Sequence, residues 1–309
     1  MKKKLIHAIT GASLSALLIA APLAQESKPL AHNEQVQASL TKEAGKKADE
    51  KRREIIDEAV AALQETFNAL EALKKGKKKE AIDALARATG KLELVVARDP
   101  ALALAPVDVS MTTYDVLATA EDIRKARREV IRLLEAGKLP AARQLLDSLR
   151  SEIVVNVAAI PLATYPDAIK AVTPLIDAGK TDEAIAALES ALGTLVVTRH
   201  LIPLPLLRAD EALVVAEVLA EKKDRDEKEN QALENALNAA EAQLDLAEAL
   251  GYGTHADYKV LHEQVAQIRD KVSGGKSGTG FFDELKASLA KLKADLFGAS
   301  TPVKAAADK

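Results

Sequence analysis

The 309-residue chain has no cysteine and no tryptophan, and only four tyrosines and four phenylalanines. Without thiols there is no disulfide, no Cys-ligated zinc or iron–sulfur cluster and no thiolate nucleophile. So few aromatics leave little stacking surface for bases or sugars. Charge of one sign is scarce as well. With 43 Lys and Arg against 46 Asp and Glu, the net charge of -3 gives no field for wrapping nucleic acid. Beyond the N-terminus no apolar run approaches the ~18 residues of a membrane span. A composition of 48% hydrophobic and 29% charged residues describes a folding chain, long enough for one large or two ordinary domains.

The first residues are an address. Met1-Lys2-Lys3-Lys4 is followed by an apolar stretch from Ala12 to Ala21, and Glu26 is the first acid. A basic start and a short apolar core are the pattern of a secretory signal peptide, expected over residues 1–24, so the protein is expected in the periplasm. No Cys follows the apolar core, which excludes a lipoprotein.

Four segments are expected after it. Residues 25–50 read as a polar flexible lead-in or a weak first helix. Residues 51–220 read as a helical core, 221–299 as a C-terminal amphipathic bundle, and 300–309 as a frayed tail. Ile56, Val60, Leu63, Phe67 and Leu70 recur at spacings of 4, 3, 4 and 3, which predicts a helix burying that stripe.

Three glycines organise the helical core. Gly76, Gly137 and Gly179 each have an alanine five residues later (Ala81, Ala142, Ala184) and a leucine nine later (Leu85, Leu146, Leu188). Glycine suits the left-handed position that ends a helix, and a small alanine lets the next helix approach, so three helical hairpins are predicted. The glycines are 61 and 42 residues apart, whereas a tetratricopeptide array needs a fixed period of about 34. Segments 100–114, 155–166 and 196–207 are rich in β-branched residues and proline and read as short strands or extended linkers. Within the last, Ile202-Pro203-Leu204-Pro205-Leu206-Leu207 reads as a buried extended tether, because two prolines remove ladder donors. The C-terminal third carries three apolar stripes: Leu233 to Ala247, Tyr258 to Val272, and Phe282 to Leu296. All step by 3 and 4, the seam of a three-helix bundle or coiled-coil-like region. The fold class is therefore mainly α, with repeated helical hairpins and a few short extended segments.

Catalytic signatures are missing. Gly275-Lys276-Ser277 lacks the earlier glycine and the preceding strand of a phosphate loop, since Asp270 stands five residues before Gly275. No G-x-S-x-G elbow and no H-E-x-x-H occur. His255 and His262 are seven apart and share a helix face without a visible third ligand, so no metal site is expected. His200, His255 and His262 are candidates for pH sensing, since histidine alone titrates near neutrality without perturbation. Tyr114 and Tyr165, with the proline-rich tether, are candidates for lining a ligand pocket.

Residues 120–126 (AEDIRKA), 141–146 (AARQLL), 151–154 (SEIV), 161–169 (PLATYPDAI), 191–197 (ALGTLVV) and 202–209 (IPLPLLRA) together resemble the YfdX family of bacterial proteins. The likeness extends more weakly back to Ile55 and stops short of the C-terminal bundle. It implies a mostly helical exported protein linked with heat, acid or drug stress, in heat-resistance loci in some cases, that self-associates. It carries over no catalytic residue. The expected function is a non-enzymatic periplasmic stress-resistance protein, without cofactor, acting as a homo-oligomeric chaperone-like holdase for unfolded envelope proteins. The alternative is a periplasmic binder of a drug or metabolite.

Overall fold

The computed structural model describes residues 33–299 and 301–304. The expected signal peptide, residues 1–24, lies outside them. The described residues from Glu34 onward cluster as one compact unit. Among the described residues no helix is long and apolar enough to cross a membrane.

The chain is mainly α-helical, as the periodicities predict, and the three glycine hairpins are present. Helices α2 (Asp57–Lys74) and α3 (Lys78–Arg98), α4 (Ala120–Glu135) and α5 (Leu139–Ser148), and α7 (Thr173–Asp177) and α8 (Thr181–Leu192) are joined at Gly76, Gly137 and Gly179. Those glycines have φ of 71°, 70° and 74°. In each turn the glycine N–H donates to the carbonyl three residues back and the next N–H to the carbonyl five back: Lys77 to Ala72, Lys138 to Leu133, Lys180 to Leu175. This is the Schellman arrangement, which satisfies two carbonyls left over at a helix end. Ala81, Ala142 and Ala184 are all fully buried at the close approach the spacing predicts.

The β-branched segments are strands, not linkers. β1 (Leu104–Tyr114), β2 (Glu152–Pro161), β3 (Val196–Pro203) and β4 (Thr301–Lys304) form one antiparallel sheet in sequence order. β4 lies in what the sequence suggests is a frayed tail, yet its backbone pairs Thr301–Lys304 with Val196–Arg199. The register of β1 shifts between Pro106 and Asp108. The extra residue, Val107, puts Ala105 opposite Ile160 on one face and Val109 opposite Val157 on the other. One strand thereby serves two cores, because a one-residue bulge exchanges the faces of everything after it. On one face, Val109, Ile153, Val155, Val157 and Ile202 pack with Ala44 and Ala48 of α1 (Asn33–Arg53) and with Leu204 and Leu207. Part of the expected flexible lead-in is therefore a packed helix. On the other, Ala105, Val107 and Ile160 join α2, α3, α8, and Tyr165 and Ile169 of α6 (Tyr165–Lys170).

Two further corrections concern helices. The expected tether is the first turn of α9 (Leu204–Glu221): β3 ends at Pro203, and Pro205 sits at the start of the helix, where a missing N–H costs nothing. In α2 the buried face takes in only part of the predicted stripe: Leu70 is buried and Ile56 and Leu63 pack against the core, but the face is centred on smaller residues. Ala59, Ala62, Thr66, Ala69 and Leu73 are buried, while Val60 and Phe67 are 37% and 44% exposed. Small side chains let α2 approach α3, whose Ala81, Ala84 and Ala88 are equally buried, and close backbone packing leaves Val60 and Phe67 at the surface.

The C-terminal bundle contains α10 (Glu227–Leu250), α11 (His255–Val272) and α12 (Asp283–Gly298), with the predicted seams inside; α9 adds Leu206, Ala209, Leu213 and Ala216 as a fourth helix of that core. Buried Arg225 joins α9 to the 273–280 loop, donating to the carbonyls of Leu219, Ala220 and Lys222 and, at 2.7 Å, to that of Lys276. The Gly275-Lys276-Ser277 turn is thus a structural clasp. Tyr252, in the α10–α11 turn, keys the bundle to the sheet: its hydroxyl donates to Glu152 Oε2 at 2.8 Å and accepts the Ser151 N–H at 3.1 Å.

If α2 packs through alanine, Ala62→Leu is expected to cost about 1–3 kcal/mol in a urea melt by overpacking. Phe67→Ser should cost less than about 0.5 kcal/mol, as for other exposed positions. The reverse ranking would show that α2 buries its large stripe.

Candidate functional site

The three hairpins share a build but not an environment. Three residues before the glycine stand Leu73, Leu134 and Ile176, which are 2%, 45% and 2% exposed. Nine residues after it stand Leu85, Leu146 and Leu188, at 2%, 48% and 0%. In the first and third hairpins these side chains are core; in the second, the same positions face solvent. Ile131 and Leu139 add to the open surface of α4–α5. The hairpin's other side is anchored, through Ile123 packed with Leu246 and Ala249 of α10 and through Arg127 donating to the Ala249 carbonyl at 3.0 Å. A Thr119–Asp122 capping box fixes where α4 begins. Exposed Arg124, Arg128, Lys138 and Arg143 share these two helices with exposed Glu121, Glu135 and Asp147. Such an arrangement offers apolar burial beside charges of both signs and no catalytic signature.

A second feature is a cavity of about 250 Å³ between α1, β3, α9 and α12. Its apolar wall includes Pro203, Leu207 and Phe297, and its rim carries Glu43, Lys47 and Lys293. Lys293 pairs with Asp210 at 2.7 Å and Glu43 at 3.4 Å. One turn beyond Leu207 on α9 lies Glu211, whose two carboxyl oxygens are buried without a hydrogen-bond partner among the described residues. Burial, reinforced by the neighbouring Asp210 charge, pushes its pKa up to about 7, with Arg208 opposing and Glu43 adding to the rise. Sequence inspection missed Glu211; Asp210-Glu211 looks like any acidic pair near a helix start.

The expected pocket residues are not brought together. Tyr165 is fully buried in the hairpin core, and burial raises its phenol pKa. Tyr114 stacks under Arg150, whose guanidinium carbon is 3.7 Å from the ring centroid. They stand at opposite ends of the β1–β2 ribbon, which at ~3.3 Å per residue is about 30 Å long. Of the proposed pocket only the proline segment lines the cavity, through Ile202, Pro203 and Leu207. His200 lies beside that cavity, its ring stacked on Phe297 at 5.0 Å and its Nδ1 2.9 Å from the Phe297 carbonyl. A carbonyl only accepts, so Nδ1 carries the proton. His255 and His262 are elsewhere, on α11, paired with Glu248 and Asp245 of α10.

Residues 62–201 match the family described as "YfdX protein". That match spans a little under half of the chain. No curated protein matches the sequence. A solved structure of YfdX from Salmonella Typhi is similar at 18% identity over 48% of this chain and 93% of that one, with a TM-score of 0.33. The matched stretch runs from within α2 to β3 and contains all three hairpins, the open α4–α5 face included. The α10–α12 helices, Glu211, His255 and His262 lie outside it.

Because Glu211 has a raised pKa, the folded protein keeps a proton between about pH 4.5 and 7 that the unfolded chain releases. Stability from this group is therefore present at low pH and falls as pH rises through 7. Glu211→Gln is expected to raise Tm by about 2–4 °C at pH 8, for an effect near 1 kcal/mol, and to leave it unchanged at pH 5. A difference that does not vary with pH would refute the assignment.

Proposed function

We propose that this protein is a non-enzymatic stress-resistance protein of the bacterial envelope that holds partly unfolded envelope proteins on the open face of its α4–α5 hairpin. One observation carries the reading: side chains that are core in two copies of the hairpin are exposed in the third. Large aliphatic groups held at solvent on an anchored hairpin support the reading of an interaction surface. Burying one such side chain completely is worth about 1.5–3 kcal/mol, so a handful gives reversible capture rather than permanent attachment. Assembly of several copies would multiply weak contacts into useful avidity, which fits the homo-oligomer expected from the resemblance. The periplasmic location rests on the basic and apolar N-terminal pattern.

A second reading, binding of a small drug or metabolite, is favoured by the cavity beside Phe297. Its ~250 Å³ is below the ~300–1,000 Å³ of most drug-sized sites, so it suits a small, partly apolar ligand with a charged group for Lys47 or Lys293. Calorimetry that gives no saturable heat with such compounds would remove this reading.

The holdase reading predicts that the full chain suppresses heat-induced light scattering of a model client at stoichiometric ratios. Paired Leu134→Ser and Leu146→Ser changes should reduce that suppression at least twofold, while Val214→Ser and Val218→Ser on the exposed face of α9 should not. No suppression by the unaltered chain, at either neutral pH or pH 5, would overturn it.

A further inference from the structure

Where sequence spacing offers two histidines and no third ligand, the fold supplies two more donors. Asp245 and Glu248 stand one turn apart on α10, and His255 and His262 two turns apart on α11. One donor atom from each of Asp245, Glu248 and His262 lies within 4.8 Å of the other two. His262 Nε2 and Asp245 Oδ1 are 3.4 Å apart. That is long for a hydrogen bond but matches the ~3.3–3.4 Å edge of a tetrahedron built on bonds of ~2.0–2.1 Å. His255 Nδ1 lies 2.7 Å from Glu248 Oε1, the contact by which an outer imidazole fixes a ligating carboxylate. Among the described residues, the salt-bridge partners of Asp245 and Glu248 are these imidazoles and no Lys or Arg. Two carboxylates thus share a site without a permanent cation.

The scaffold holds the donors in place. Gly251, at φ 88°, ends α10 with the same pair of turn hydrogen bonds as the three hairpins: Gly251 N–H to Glu248 and Tyr252 N–H to Ala247. A Thr254–Asp257 capping box sets the start of α11, and hence the rotation of His255 and His262. Leu244, Tyr258, Leu261 and Val265 are buried beneath.

We propose that Asp245, Glu248 and His262 form a binding site for a divalent transition metal ion of the zinc class, with His255 positioning Glu248. An imidazole with two carboxylates selects zinc over magnesium or calcium, which prefer all-oxygen shells. Three protein ligands leave a fourth position open to water or to a donor from another molecule. A bound ion would also staple α10 to α11.

The test is isothermal calorimetry of zinc chloride into the full chain, carrying no polyhistidine tag and stripped with chelator. One zinc per chain is expected, with no saturable heat from magnesium. His262→Ala and Asp245→Asn should each weaken binding at least tenfold, and His255→Ala about tenfold, as for outer-shell partners. His200→Ala should bind as the unaltered chain does. Cobalt should give a visible ligand-field spectrum that His262→Ala abolishes. Circular dichroism checks the fold of each variant; should His262→Ala unfold, Asp245→Asn, which removes only charge, decides the matter. Absence of saturable binding at micromolar zinc, or binding by the His262 and Asp245 variants as tight as that of the unaltered chain, would overturn the proposal.

Discussion

Strand β2 is buried along nearly its whole length, on both faces, and the rest of the molecule answers that constraint. A strand with Ile153, Val155 and Val157 on one side and Ile160 on the other cannot leave either side to water. One face is covered by α1 and the start of α9, the other by the α2–α3 and α7–α8 hairpins. The bulge at Val107 lets the neighbouring β1 follow the same division, giving Ala105 to one core and Val109 to the other. With two of the hairpins committed to β2, the third is left to pack on α10, and its leucines stay open.

The joint between sheet and bundle is polar. Ser151 and Glu152 are buried where β2 begins, and burying them is tolerable only because each finds partners. Ser151 Oγ donates to Asp115 at 2.7 Å, Asp115 takes a two-pronged pair from Arg208, and Tyr252 bridges Ser151 and Glu152. Desolvation, with the Glu152 charge beside it, raises the Tyr252 phenol's pKa well above the ordinary tyrosine range, so it remains a donor. Directional contacts of this kind fix how β2, α9 and the α10–α11 turn meet, where apolar packing alone would leave the rotation loose.

Much of this was legible in residues 57–296. Gly76, Gly137 and Gly179 announced their turns because left-handed backbone is cheap for glycine alone, and the 3–4 stripes of α10, α11 and α12 face the core as read. Three things were not legible, each for a physical reason. Hydrophobicity ranks Phe67 above Ala62, but distance between helix axes favours the smaller residue. Prolines 203 and 205 lack ladder donors and so suggest a tether, yet Pro203 is tolerated as the last residue of β3 and Pro205 as part of a helix start. Exposure at Leu134 and Leu146 depends on which hairpin has a neighbour, which no local pattern encodes.

The metal donors show the same limit. On α10, Asp245 and Glu248 belong to a helix rich in Glu, where acidic side chains read as solvation of an outer face. Their meaning comes from the turn at Gly251 to Thr254, which brings α11 back against α10 and sets His262 opposite Asp245 and His255 opposite Glu248. Hairpin formation is thus the step that makes both candidate surfaces: one turn exposes aliphatic side chains because its helices lack a cover, another gathers donors because its helices meet. The two sit on elements that touch, since α4 packs on the C-terminal part of α10 at Leu246 and Ala249, within a turn of Glu248. An ion stapling α10 to α11 would stiffen the platform on which the open α4–α5 face rests, and a rigid platform keeps exposed leucines from collapsing onto their own chain.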